Sequence, residues 1–149
     1  MKKFKFRLEK VLQHRDAIKE EKRGELAKVN AILREQERHL ESLSEALLNN
    51  SVQESGVVDS SHFLAAGAYS ARLRDEIAAQ KETIAKTEEL VAAARVQYVE
   101  AAKDAKALET LKRKRREQYL EYIAKEEEKE LDELVIQRTG QRNRQEEGV

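Results

Sequence analysis

Five consecutive cations, Lys112-Arg113-Lys114-Arg115-Arg116, are the sharpest signal in the chain for chemistry with a partner. Such a run holds phosphates or carboxylates by charge, and it resembles a nuclear-localisation or nucleic-acid patch. On a helix it is also what an ordinary solvated face looks like. It is not the lysine of a Walker phosphate loop, because no glycine loop precedes Lys112. A second cationic group, Lys2, Lys3, Lys5 and Arg7, opens the chain, and an acidic segment from Glu126 to Glu133 follows the basic run about two turns later. Catalytic patterns are lacking. His14, His39 and His62 have no metal-ligand spacing, and the absence of cysteine excludes thiolate sites, disulfides and thiol nucleophiles. Glu126-Glu127-Glu128 has no apolar surroundings to raise a carboxyl pKa, which an acid/base pair would need. The chain therefore reads as a non-enzyme with no metal and no cofactor.

What must position these charges is helix. Of 149 residues, 39% are charged, with 29 basic and 29 acidic side chains balancing to zero, and aromatics are only 5%. Proline is absent and glycine occurs five times. A β-sandwich or barrel needs turn residues at short intervals, and they are missing. Long Ala/Leu/Glu/Lys/Arg-rich helix remains. The longest uninterrupted apolar stretch, Leu90 to Ala94, is far below the ~20 residues that span a bilayer. The start MKKFKFRLEK has the charges of a signal peptide but no apolar segment after them, so the expected location is the cytosol. Zero net charge weighs against a general nucleic-acid binder.

Two heptad seams are legible. In the first segment, about 4–48, Leu12, Lys19, Leu26, Leu33, Leu40 and Leu47 take one core position, and Leu8, Arg15, Lys22, Val29, Gln36 and Leu43 the other. Arg15, Lys19 and Lys22 put cations into this seam, as a stutter or an adjustable section. In the second segment, about 62–138, Ile77, Ile84, Val91, Tyr98, Ala105, Lys112 and Tyr119 alternate with Leu73, Gln80, Thr87, Ala94, Ala101, Leu108, Arg115 and Tyr122. Between them, about 49–61, Asn49-Asn50-Ser51 through Gly56 to Asp59-Ser60-Ser61 reads as a turn, with Asp59, Ser60 or Ser61 as the next helix's cap. The tail, 139–149, is polar and expected to fray.

Neither stripe can bury itself, and a short connection favours antiparallel neighbours. The expected fold is all-α, a single coiled-coil domain over 1–149 in which two unequal helices form an antiparallel hairpin. With the turn centred near Ser55, Leu8 lies near Ala102 and Leu47 near Phe63. The residues from Leu108 to Arg138 then overhang the first helix and still carry apolar side chains. This register brings Lys2, Lys3, Lys5 and Arg7 close to Lys112–Arg116 and builds a positive tip suited to an acidic protein cavity.

Four features resemble the FliJ family of flagellar type III export proteins, over nearly the whole chain. They are the opening Phe4-Lys-Phe6-Arg-Leu8-Glu-Lys-Val11-Leu12, the unequal hairpin, the stretch Ala107-Leu-Glu-Thr-Leu111-Lys-Arg-Lys-Arg115 with an aromatic at Tyr119, and Glu130-Leu131-Asp132-Glu133-Leu134. The resemblance implies a stalk similar to the coiled coil of the rotary ATPase γ subunit. It implies binding to the export ATPase ring through Lys2, Lys3, Lys5, Arg7, Lys112, Arg113, Lys114, Arg115 and Arg116 at the open end. It also implies binding to the cytosolic domain of the export-gate membrane protein. The family's gate-contact pattern maps onto Gln36, Leu40, Leu43 and Leu47 on the first helix. On the second helix it maps onto Tyr69, Leu73, Glu76 and Gln80. Leucine replaces two aromatics of the first pattern, and Glu76 and Gln80 depart from the second. Export chaperones are further implied partners, and the implied place is the cytoplasmic face of the membrane at the flagellar base.

Two other classes compete. A generic coiled-coil spacer needs neither unequal helices nor a charged end. A nucleic-acid binder would use Lys112–Arg116 and lose affinity steeply with salt. An injectisome stalk shares the architecture of the flagellar one.

Overall fold

A computed structural model describes residues 3–54 and 59–146. It contains two helices, α1 (Glu9–Glu54, 46 residues) and α2 (Ser60–Glu146, 87 residues), packed antiparallel as a coiled coil, with no strand among the described residues. At 1.5 Å per residue their axes are about 70 and 130 Å long. Neither helix is long and apolar enough to cross a membrane. Contacts divide the chain into two units, Arg15–Lys103 and Met1–His14 with Asp104–Val149.

The first unit is the paired hairpin. Along α2, every third or fourth residue is withdrawn from solvent. Leu73, Ile84 and Thr87 are buried, and Ile77, Gln80, Val91 and Ala94 are half-buried. This is the expected heptad seam, and it starts earlier, at Ala66 and Ser70. On α1, Leu43 is buried, and Leu26, Val29, Leu33, Gln36, Leu40 and Leu47 are half-buried. The cationic stretch is where α1 departs from its pattern. Arg15 is exposed and Asp16 takes its place in the seam, so the spacing slips by one residue, as a stutter does. Lys19 and Lys22 stay half-buried, which long aliphatic stems allow. Lys22 carries its charge to Glu25, 3.0 Å away.

Three boundaries differ from the sequence expectation. First, α1 starts at Glu9, not at residue 4: the alternation Lys3-Phe4-Lys5-Phe6-Arg7-Leu8 forms a non-helical lead-in that ends in a turn at Arg7-Leu8, where the Glu9 N–H donates to the Phe6 carbonyl at 3.2 Å. Its burial follows period two: the three cations are exposed, and Phe4, Phe6 and Leu8 are half-buried. Second, α1 runs through Asn49-Asn50 to Glu54, into the segment expected to turn. Asn50 is a seam residue here. Its side-chain amide donates to the Ala66 carbonyl at 3.0 Å and to Ser70 Oγ at 2.6 Å. Residues 55–58 of the expected turn lie outside the described residues. Asp59 is the cap, accepting from the Ser61 N–H at 3.4 Å and the Ser61 hydroxyl at 2.8 Å. Third, α2 extends past Arg138 to Glu146, since the only breaker there is Gly140 and a single glycine costs a helix about 1 kcal/mol.

The longer α1 shifts the pairing. The expected register would set Gln36 beside Arg74, Glu9 beside Ala101 and Phe4 beside Lys106. The structure sets them beside Gln80, Lys112 and Tyr119. Leu8 accordingly shares a groove with Leu111 and not with Ala102. Leu47 lines a shallow depression with Ile77, while Phe63, expected beside it, is 58% exposed. Polar seam residues fix such a register, because a slip strands them without partners. Asn50→Ala should therefore cost about 1–2 kcal/mol, by loss of two partly buried hydrogen bonds. Urea unfolding monitored by helical circular dichroism would measure it, and an unchanged midpoint would remove Asn50 as a register lock.

Candidate interaction site at the basic end

The second unit holds the basic run, and the register places the N-terminal cations directly on it. Lys3, Lys5 and Arg7 line one side of a groove of about 800 Å³, and Arg115, Gln118 and Tyr119 the other. The period-two lead-in turns its aromatic side toward α2. Phe4 meets Tyr119 with ring centroids 5.6 Å apart and planes tilted by 44°. Tilted aromatic pairs at this separation contribute about 0.5–1.5 kcal/mol beyond the area they bury. Leu12 and Ala105 are buried beneath, and Leu108 and Leu111 are half-buried. Apolar packing thus fixes a segment whose other side is cationic.

The charges are not equivalent. Lys112 is half-buried in the seam and bonds to Glu9, its Nζ lying 2.9 Å from Oε1 and 2.8 Å from Oε2. Arg113 faces Glu117 on the next turn at 3.9 Å. Lys114, Arg115 and Arg116 are exposed and, like Lys3, Lys5 and Arg7, have no carboxylate within ion-pair distance among the described residues. Lys2 lies outside the described residues. Six described cations are therefore uncompensated, and Lys112 and Arg113 are not among them. The Glu9–Lys112 pair is about 40% exposed, so solvent screening keeps its contribution below about 1 kcal/mol. A double-mutant cycle with Glu9→Gln and Lys112→Met should give a coupling in that range. A coupling of several kcal/mol would mean that the pair is desolvated.

Past Tyr122, α2 continues without α1. Leu131, Leu134, Val135 and Ile136 are 64%, 55%, 62% and 70% exposed. They alternate with the acidic segment, where Lys129 pairs with Glu126 at 3.2 Å.

The eight residues singled out by the gate-contact pattern lie in the hairpin unit, and most belong to its seam. Leu43 and Leu73 are 8% and 4% exposed. Gln80 Nε2 donates to the Gln36 carbonyl at 3.0 Å, while Gln36 Oε1 is buried with no partner among the described residues. Leu40 and Leu47 are half-buried. Tyr69 and Glu76 are the exposed ones, and the Arg72 guanidinium sits over the Tyr69 ring at 5.8 Å from its centroid.

No group of histidines and carboxylates suited to a metal ion occurs among the described residues. Glu82 is held below the ordinary carboxylate pKa by the hydrogen bond and charge of Lys86, an exposed neighbour one turn away with no bearing on this site.

Sequence reasoning found the two cationic groups but not the groove that joins them. The signal was there in the alternation from Lys3 to Leu8, which a heptad reading from Phe4 overrides.

In a comparison with known protein families, residues 4–144 match the family described as Flagellar FliJ protein. No curated protein and no solved structure matches the chain.

Proposed function

The chain belongs to the flagellar FliJ family, which makes it a protein related to flagellar export, and from that premise we propose that it is a non-enzymatic stalk component of the export apparatus. It works in the cytoplasm, at the cytoplasmic face of the membrane, and engages the ring of the export ATPase through its basic end. The groups that make the contact are Lys2, Lys3, Lys5, Arg7 and the run Lys112–Arg116. The observation that carries this reading is the convergence of Lys3, Lys5, Arg7 and Arg115 around one groove, with Lys114 and Arg116 exposed on either side of Arg115 in the chain and no carboxylate paired to any of the six among the described residues. Like charges held together repel, and an acidic ring lining would relieve that repulsion. The contact promotes ring assembly and substrate export.

The same reading assigns export-gate contact to the hairpin unit. Tyr69 and Glu76 supply the exposed part of that face, with the half-buried edges of Leu40 and Leu47, while Gln36, Leu43, Leu73 and Gln80 hold the two helices in register beneath it. The exposed Leu131, Leu134 and Val135 are the surface left for a further partner such as an export chaperone.

The test is co-purification with the export ATPase, and stimulation of its hydrolysis, across a salt series. Binding should weaken as salt rises, since exposed charges are screened beyond about 8 Å at physiological ionic strength. Equal stimulation at low and high salt would take the basic end out of the mechanism.

A further inference from the structure

The groove at the basic end has a floor as well as a charge. Phe4, Phe6 and Leu8 enter it from the lead-in, and Leu111, Tyr119 and Tyr122 from α2. Its volume of about 800 Å³ lies within the ~300–1,000 Å³ of pockets that enclose small ligands or anchor side chains. Lys3, Lys5, Arg7 and Arg115 line it too, and among the described residues no aspartate or glutamate does. The nearby carboxylates Glu9 and Glu117 already face Lys112 and Arg113. Tyr122 lines the groove and is nevertheless 59% exposed, so the apolar surface there is only partly covered by this chain.

We propose that this groove is a docking site for an acidic peptide segment carrying one bulky apolar anchor. The anchor sits among Phe6, Tyr119 and Tyr122, and the flanking carboxylates meet Lys3, Lys5, Arg7 and Arg115. The proposal names the chemistry of the partner segment that the basic end takes, and so rests on the function proposed above.

Charge complementarity selects the occupant. An electroneutral apolar peptide would leave four clustered cations uncompensated, and a nucleic acid, whose phosphates the cations and whose bases the aromatic floor would accept, would bring its backbone against the acidic segment from Glu126 to Glu133 that follows on α2. An anionic bilayer is the nearest competitor, because aromatic and cationic residues mixed in one segment suit a lipid interface. A bilayer, however, needs the aromatic side to project outward. Here Phe4, Phe6 and Leu8 turn toward α2 and are half-buried against it, while the cations between them are the exposed side chains of the lead-in. That arrangement offers a slot with a charged rim.

The experiment titrates the full chain with a synthetic peptide of alternating glutamate and serine bearing one central phenylalanine. The control peptide has serine in place of the phenylalanine. The phenylalanine peptide should bind about tenfold tighter or more, the gain expected from burying one aromatic side chain. Tyr122→Ser should erase that difference while leaving the helical signal unchanged, since the side chain is mostly exposed. Arg115→Glu should weaken both peptides, and salt should do the same. Equal binding of the two peptides would overturn the groove proposal and leave the basic-end reading standing. Binding to vesicles of phosphatidylglycerol in preference to either peptide would also overturn it, in favour of a lipid surface. If the peptide binds as expected but the export ATPase does not bind the wild-type chain at any salt concentration, the ring reading fails instead and the groove stands.

Discussion

Leu43→Ala should lower the stability of the free protein by about 2–5 kcal/mol, the range for deleting a buried leucine side chain and leaving a cavity. Leu43 is 8% exposed in the hairpin seam, and with Leu73 and Ile84 it is among the bulky side chains of that unit that are buried outright. Leu40→Ala should cost less, because Leu40 is only half-buried. Leu131→Ala and Leu134→Ala should stay within about 0.5 kcal/mol, the usual range for surface substitutions. Both residues are more than half exposed on the part of α2 that α1 does not reach. Urea unfolding of the four variants would measure the contrast. Comparable losses at Leu43 and Leu131 would mean that the unpaired end of α2 is covered in the free protein.

The second large effect concerns association. Reversing Lys114, Arg115 and Arg116 to glutamate should slow binding to the export ATPase by about tenfold or more at low salt, within the range that electrostatic steering commands. These three are chosen because they are exposed and have no carboxylate within ion-pair distance among the described residues. Arg113 is a poorer choice, since Arg113→Glu would set a second carboxylate beside Glu117 and confound binding with helix stability. The variant should unfold like the wild type, as all three side chains are exposed. Its remaining binding should also depend less on salt. Unchanged association kinetics at low salt would leave the run as a solvated helix face.

Most of the fold was legible because heptad spacing is a strong constraint. Leu73, Ile77, Gln80, Ile84, Thr87, Val91, Ala94, Tyr98, Ala101, Ala105 and Leu108 all withdraw from solvent as their spacing requires. The misreadings arose where a residue type has two uses. Asn49-Asn50 reads as a turn because asparagine favours turns, yet Asn50 spends its amide across the helix pair. Arg15 fits the strict repeat, but the shorter Asp16 enters the seam and leaves the guanidinium outside. At the N-terminus, Phe4 and Leu8 satisfy a helical spacing and a period-two spacing at once. Only Phe6, lying between them, separates the two readings, and its half-burial decides for the second. Each error moved the register, and the register decides which charges meet. The sequence therefore shows the basic end as two neighbouring clusters, whereas the groove between them follows from the register that Phe4, Glu9 and their partners set.

Site-specific photo-cross-linking identifies which unit of the chain meets the ATPase ring. A cross-linking side chain placed at the exposed Arg116, the residue after Arg115 of the groove lining, is compared with one at Leu48, which is 65% exposed in the hairpin unit. In the presence of the assembled export ATPase, the probe at Arg116 should capture the ATPase subunit and the probe at Leu48 should not. Capture from Leu48 with none from Arg116 would contradict the account, because the ring would then meet the hairpin unit and not the basic end.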